Sequence, residues 1–176
     1  MIESLWGTPF YKTTIDEKLR FEVETYIMSN IDLDDPPGDV SSHNFFDNRH
    51  PLIQKLKQEM ITQCHNYVEC DDVSVKGWVT GTKDYSMTSH NHSGASVSGV
   101  FYISTPHGGP IVFSDPRFNA SRGYKEGIKE QFGLKPVTII PQSGELILFP
   151  SFVYHEVPHY SGPSRRIALP VDFYIT

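Results

Sequence analysis

The chain has 176 residues and a mass of 20.0 kDa, enough to bury a core of its own as one domain spanning 1–176. Its 15 Lys and Arg against 21 Asp and Glu leave a formal net charge of −6, and a mildly acidic chain without a basic run disfavours nucleic acid and anionic membrane as partners. No apolar run reaches the ~18–20 residues of a membrane span, and the start "MIESLWGTPF" lacks the basic and apolar regions of a secretory leader. Cys64 and Cys70 suggest no disulfide framework, so a reducing, cytoplasmic setting is expected.

In chain order, "LWGTPFYKTTI" (Leu5–Ile15) mixes aromatic and β-branched residues and reads as a first strand. From Asp16 to Asn30, acidic residues in the first turn favour a helix start, although the apolar residues follow helical spacing only in part. "DLDDPPGDVSSHN" is a loop, because its prolines and glycine interrupt regular structure. "HPLIQKLKQEMITQCHNYV" carries Leu52, Ile53, Leu56, Met60, Ile61, Cys64 and Tyr67 at i, i+3/i+4 spacing and predicts a helix.

After Cys70 the character changes. "VSVKGWVTG", "ASVSGVFYI", "PIVFSD", "PVTIIP", "GELILFP", "FVYHEV" and "RRIALPVDFYIT" are short β-rich runs separated by Gly, Pro, Asn and Asp. Two helices followed by about seven strands predict a mainly β fold, a sandwich or barrel with helices outside it. Residues 1–70 would supply the first strand and supporting helices, and 71–176 the β core.

Within "MTSHNHSGASVSGVFYI", extended backbone would aim His90 and His92 to one side, since side chains at i and i+2 share a face. Paired imidazoles suit a metal, yet two polar loop residues would give the same pattern. His155, in "LILFPSFVYHEVP", is the third candidate, with a hydrogen-bonded structural histidine as its plain alternative and His159 as its rival. His50 and His65, at and within the second predicted helix, suit structural or exposed roles.

Taken together, "HNHSGASVSGVFYI", "GGPIVFSDPR", "PQSGELILFPSFVYHEVP" and "RRIAL" resemble a bacterial and phage branch of the 2-oxoglutarate- and Fe(II)-dependent oxygenases, and "LWGTPFY" is similar to that branch's opening. The resemblance implies a double-stranded β-helix (jelly-roll, cupin-like) fold and a bacterial or phage-infected cytoplasm. It also implies Fe(II), 2-oxoglutarate and O2 as cofactor and cosubstrates, with ascorbate as a stimulant. Carried over, it makes His90 the first metal ligand and His155 the distal one. His92 falls where the wider superfamily has a carboxylate, so three imidazoles would leave the iron one negative charge short. Asp115 of "FSDPR" is an alternative carboxylate, although Asp-Pro also suits a turn.

Three protein ligands on an octahedral iron leave positions for the keto acid and O2, so the implied reaction is a hydroxylation coupled to 2-oxoglutarate decarboxylation. The cosubstrate's far carboxylate calls for an Arg fork. Arg165 would share its strand face with Ile167, Leu169 and Val171, an apolar set suited to packing under helices. Arg166 would share its face with Ala168 and is assigned to the carboxylate. Tyr102 either shares that carboxylate or is a core aromatic, with Ser98 and Val100 on its face. Polar segments 31–49 and 115–135 are candidate lids or substrate loops. A small-molecule or peptidyl substrate is expected. The competing readings are a cupin-like metal enzyme that uses no 2-oxoglutarate, against which "HNHSGASVSGVF" lacks the expected Glu, and a non-catalytic β-sandwich binding protein.

Overall fold

A computed structural model describes residues 7–33, 44–117, 119 and 122–176. The chain begins with strand β1 (Tyr11–Thr14) and helix α1 (Glu17–Asn30). Asp16 caps α1 by accepting the Leu19 backbone N–H at 2.9 Å, satisfying a donor that has no partner inside the helix. Leu19, Val23 and Ile27 form its buried stripe. Helix α2 (Pro51–Tyr67) starts with His50 as cap and Pro51 in the first turn, where a missing N–H costs nothing. Its buried stripe is Ile53, Leu56, Met60 and Cys64. Burial pushes the Cys64 thiol up to about 12, so this cysteine is a packing residue rather than a nucleophile.

Strands β2 (Val73–Gly77), β3 (Thr80–His90), β4 (Val97–Ser104), β5 (Ile111–Phe113), β6 (Val137–Ile139), β7 (Glu145–Pro150) and β8 (His155–Ile175) follow, with a short helix α3 (Glu126–Gln131) between β5 and β6. All strand pairs are antiparallel, in the order β1-β7-β4-β8-β5-β6, with β2 and β3 also paired to β8. The sheet curls into a double-stranded β-helix, and β8 is its hub, bonded to four other strands along 21 residues.

Period-two alternation divides the interior into two layers. Phe101, Ile103, Leu146, Leu148, Ile167, Leu169, Val171 and Phe173 pack with the buried stripes of α1 and α2. The opposite face, with Val100, Tyr102, Ile147, Phe149 and Ala168, joins Ile111, Phe113 and Val153 inside the barrel. Glycine is needed at position 99, where a Cβ would lie 2.6 Å from the Ile147 carbonyl oxygen of the neighbouring strand.

Several predicted bounds shift. The first strand is confined to Tyr11–Thr14, and Leu5 and Trp6 lie outside the described residues. The "HEV" end of "FVYHEV" and "RRIALPVDFYI" belong to one strand, His155–Ile175, which runs on through a register shift against β3 between Ser161 and Arg166 rather than ending there. α3 interrupts the segment read as a polar loop and buries none of its residues. Much of the candidate lid 31–49, positions 34–43, lies outside the described residues. Among those described, no helix is long and apolar enough to cross a membrane.

Candidate metal centre

Pairing of β3 with β8 sets His90 directly opposite His155. His90 is the last residue of β3, and His92 lies in the turn beyond it, so the two rings converge through that turn rather than along one strand. The turn is fixed by the His92 backbone N–H, which donates to the Ser151 carbonyl at 3.1 Å. Ring centroids are 4.4 Å apart for His90 and His155, and 5.2 Å for His92 against each of the others. One ligand nitrogen from each ring falls within 4.8 Å of the other two.

The proton positions follow from what the other nitrogens touch. His90 Nδ1 lies 2.8 Å from the Thr88 carbonyl oxygen and His155 Nδ1 lies 3.1 Å from that of Val153. A carbonyl oxygen only accepts, so both Nδ1 atoms carry the hydrogen. His92 Nδ1 lies 2.9 Å from Asp172 Oδ2 and donates to it. In the neutral form of each ring this leaves the Nε2 lone pair for a metal. The donor set fits a borderline divalent ion such as Fe(II).

His155 is 4% exposed, between Phe113 and Phe149. Burial lowers its pKa from 6.5 to about 4, so the ring is neutral and available at physiological pH. This has a consequence for the metal-free protein. Between pH 6.5 and 4 the unfolded chain takes up a proton at His155 that the folded chain refuses. The group's contribution is thus present above about pH 6.5 and lost as pH falls toward 4, by about 3 kcal/mol for this group alone. Urea midpoints of metal-free wild type should fall across that window, and those of His155→Gln should fall less; equal slopes would contradict a buried, neutral ring.

Two neighbours of the cluster are not apparent from motif spacing. Asp172, in β8, is buried, and its second oxygen accepts the Ser98 hydroxyl at 2.6 Å. The Trp78 indole stacks on the His92 ring, with centroids 5.7 Å apart and planes 19° apart. An Asp inside the apolar run "ALPVDFYI" was the one available signal for the first, since a carboxylate in such a strand needs a partner.

The same narrow cavity, about 60 Å³, is lined by the three histidines, Tyr102, Arg166 and Ala168. Arg166 is 4% exposed and its Nε has no hydrogen-bond partner; the buried Tyr102 hydroxyl has none either. The guanidinium stands 5.2 Å over the Tyr102 ring. Burial pushes the Tyr102 hydroxyl above its ordinary value, with Arg166 opposing, so it remains a protonated donor. Gly109, at φ +108°, lets the backbone run against the Arg166 stem, where a Cβ would meet Cδ at 2.9 Å. A buried guanidinium with an unpartnered Nε beside an unpartnered hydroxyl is costly unless an anionic ligand completes both. Arg165, on the other face, donates to the carbonyls of Leu33 and Gly81 at 3.1 and 3.3 Å.

The remaining candidates lie elsewhere. Asp115 is outside the histidine cluster. Its carboxylate takes the Arg117 side chain at 2.7 and 3.0 Å and the Arg117 backbone N–H at 2.7 Å, which holds it below the usual carboxylate range. The exposed His159 ring is 3.5 Å from Asp84. His50 caps α2, and His65 lies against the Cys70 sulfur at 3.5 Å. Two larger hollows, about 860 and 780 Å³, share Ser114, Asp115 and Lys135. The first is walled by Phe113 and Phe149, the rings that also flank His155. Ligand chemistry is concentrated in the narrow cavity; the hollows are apolar or ion-paired space beside it.

Comparison with known proteins gives a consistent result. Residues 77–172 match the family described as "Putative 2OG-Fe(II) oxygenase". HygX from Streptomyces hygroscopicus, solved with nickel, 2-oxoglutarate and hygromycin B, superposes with a TM-score of 0.68 at 13% identity, over 96% of this chain and 84% of that one. SnoN, a non-haem alpha-ketoglutarate-dependent epimerase from nogalamycin biosynthesis, gives 0.68 at 10% identity, over 96% and 77%. A Pseudomonas putida prolyl-4-hydroxylase gives 0.61 at 12% identity, over 96% and 89%. At these identities the likeness is one of fold. Among curated protein sequences no match is found.

Proposed function

Since this chain belongs to the 2OG-Fe(II) oxygenase family, its chemistry is that of Fe(II), 2-oxoglutarate and O2, and we propose that it is a hydroxylase whose metal is held by His90, His92 and His155. The observation that carries this reading is the convergence of three imidazoles, each with Nδ1–H engaged and Nε2 free. Bound there with 2-oxoglutarate and O2, Fe(II) supplies an oxidative decarboxylation that drives oxidation of a substrate C–H bond.

The protein's own part is positioning and shielding. The Thr88 and Val153 carbonyls and the Asp172 carboxylate fix the ring orientations. Arg166 and Tyr102 hold the cosubstrate's far carboxylate, the cation by charge and the hydroxyl as a neutral donor. Val100, Ile111, Val157 and Ala168 line this pocket with apolar surface that excludes water and strengthens the ion pair. The substrate is a small molecule or a peptidyl side chain.

Purified protein with Fe(II), ascorbate and 2-oxoglutarate should release succinate slowly without substrate, and N-oxalylglycine should suppress it. Calorimetry showing that metal-loaded protein binds no 2-oxoglutarate would overturn the pocket assignment. Once screening yields a substrate, one oxygen atom from labelled O2 in the product marks hydroxylation. An unlabelled product with an inverted carbon would replace hydroxylase by epimerase.

A further inference from the structure

We infer that Asp172 supplies, through His92, the negative charge that a carboxylate ligand would otherwise bring to the metal. The inference rests on the assignment of the three histidines as ligands. Two of the three rings are oriented by neutral acceptors, the carbonyls of Thr88 and Val153. The third, His92, is oriented by a carboxylate, Asp172 Oδ2 at 2.9 Å. The anionic partner thus stands behind the ligand at position 92, where the family resemblance places the carboxylate of a facial two-histidine, one-carboxylate set. A carboxylate hydrogen-bonded to a ligand imidazole raises the basicity of that imidazole, so part of the charge lost at position 92 returns from one bond further out.

The surroundings support a dedicated role. Asp172 and the side chain of His92 are both largely buried, so water does little to screen their interaction. Ser98, 1% exposed and paired with Asp172 across β4 and β8, donates to Oδ1 at 2.6 Å and turns Oδ2 toward the ring. Trp78 covers the His92 ring face. Among the described residues, the ion pair of Asp172 is with His92. Asp172 is therefore a positioning residue, acting on the metal only through His92.

Four proteins test this with Co(II) as the probe: wild type, Asp172→Asn, His92→Asp and the double variant. Asparagine can accept from His92 and donate to the Ser98 oxygen, so the first substitution removes charge and little else. Asp172→Asn should weaken Co(II) binding by about 10–100-fold and shift its visible absorption, with metal-free melting unchanged. His92→Asp alone faces one carboxylate with another and should bind more weakly than His92→Asp with Asp172→Asn, where the carboxylate stands on the metal itself. The effect of Asp172→Asn should thus change sign with the residue at position 92.

Wild-type affinity and spectrum in Asp172→Asn would overturn the inference, as would an equal loss in both backgrounds. If Asp172→Asn alone fails to fold, metal binding by the double variant decides, binding supporting the inference and its absence overturning it. Loss of fold in both assigns Asp172 to folding and overturns it. A wild type that takes up no Co(II) would instead refute the ligand assignment, a separable result.

Discussion

Replacing His90 or His155 with alanine should abolish binding of one equivalent of Fe(II) at micromolar protein. Each supplies one of three proposed protein ligands, and loss of a ligand should exceed the roughly 10–100-fold cost of losing a residue behind one. His155→Ala also opens space between Phe113 and Phe149, so its fold must be checked by melting. His90 is only partly buried, which makes His90→Ala the milder change. Anaerobic titration with Fe(II) reads the outcome, and wild-type affinity should fall below about pH 6, where protons compete for imidazole nitrogens. If either folded variant still binds one equivalent tightly, the metal lies elsewhere.

Arg166→Ala should raise the 2-oxoglutarate concentration needed for binding by tenfold or much more, and Arg165→Ala should change it little. Arg166 offers a guanidinium that is 4% exposed with an unpartnered Nε, and loss of a buried, charge-assisted contact costs on the order of 2–5 kcal/mol, at about 1.4 kcal/mol per decade of affinity. Arg165 is engaged with the Leu33 and Gly81 carbonyls, so its loss should lower the melting temperature instead. Calorimetry of Mn(II)-loaded protein with 2-oxoglutarate separates the two. The reverse ranking would place the cosubstrate on the other side of β8.

The fold was largely legible because alternation is a local property. "RRIALPVDF" distributes Ile167, Leu169, Val171 and Phe173 to the helix side and Arg166, Ala168 and Asp172 to the other, as the structure has them. What could not be read is what depends on distant pairing. The register that sets His90 opposite His155 joins segments 65 residues apart, and nothing local fixes it. His92 was read from strand geometry, whereas a turn held by Ser151 aims it. Asp172 belongs to no motif in the sequence, and its partner Ser98 is brought beside it only by the pairing of β4 with β8. α3 was missed because it buries no residue, leaving no apolar stripe to detect.

The hub strand β8 also imposes an order of events on biosynthesis. His155 opens it, Arg166 lies at its middle, and Asp172 is near its end, while its partner strands all precede it in the chain. A nascent polypeptide that stops before residue 155 can expose His90 and His92 but cannot assemble the three-nitrogen cluster. One that stops before residue 166 lacks the buried cation as well. If these residues act as proposed, synthesis from the N-terminus keeps a partly made chain from gathering iron and keto acid together, and the competent centre would form only as β8 closes the sheet.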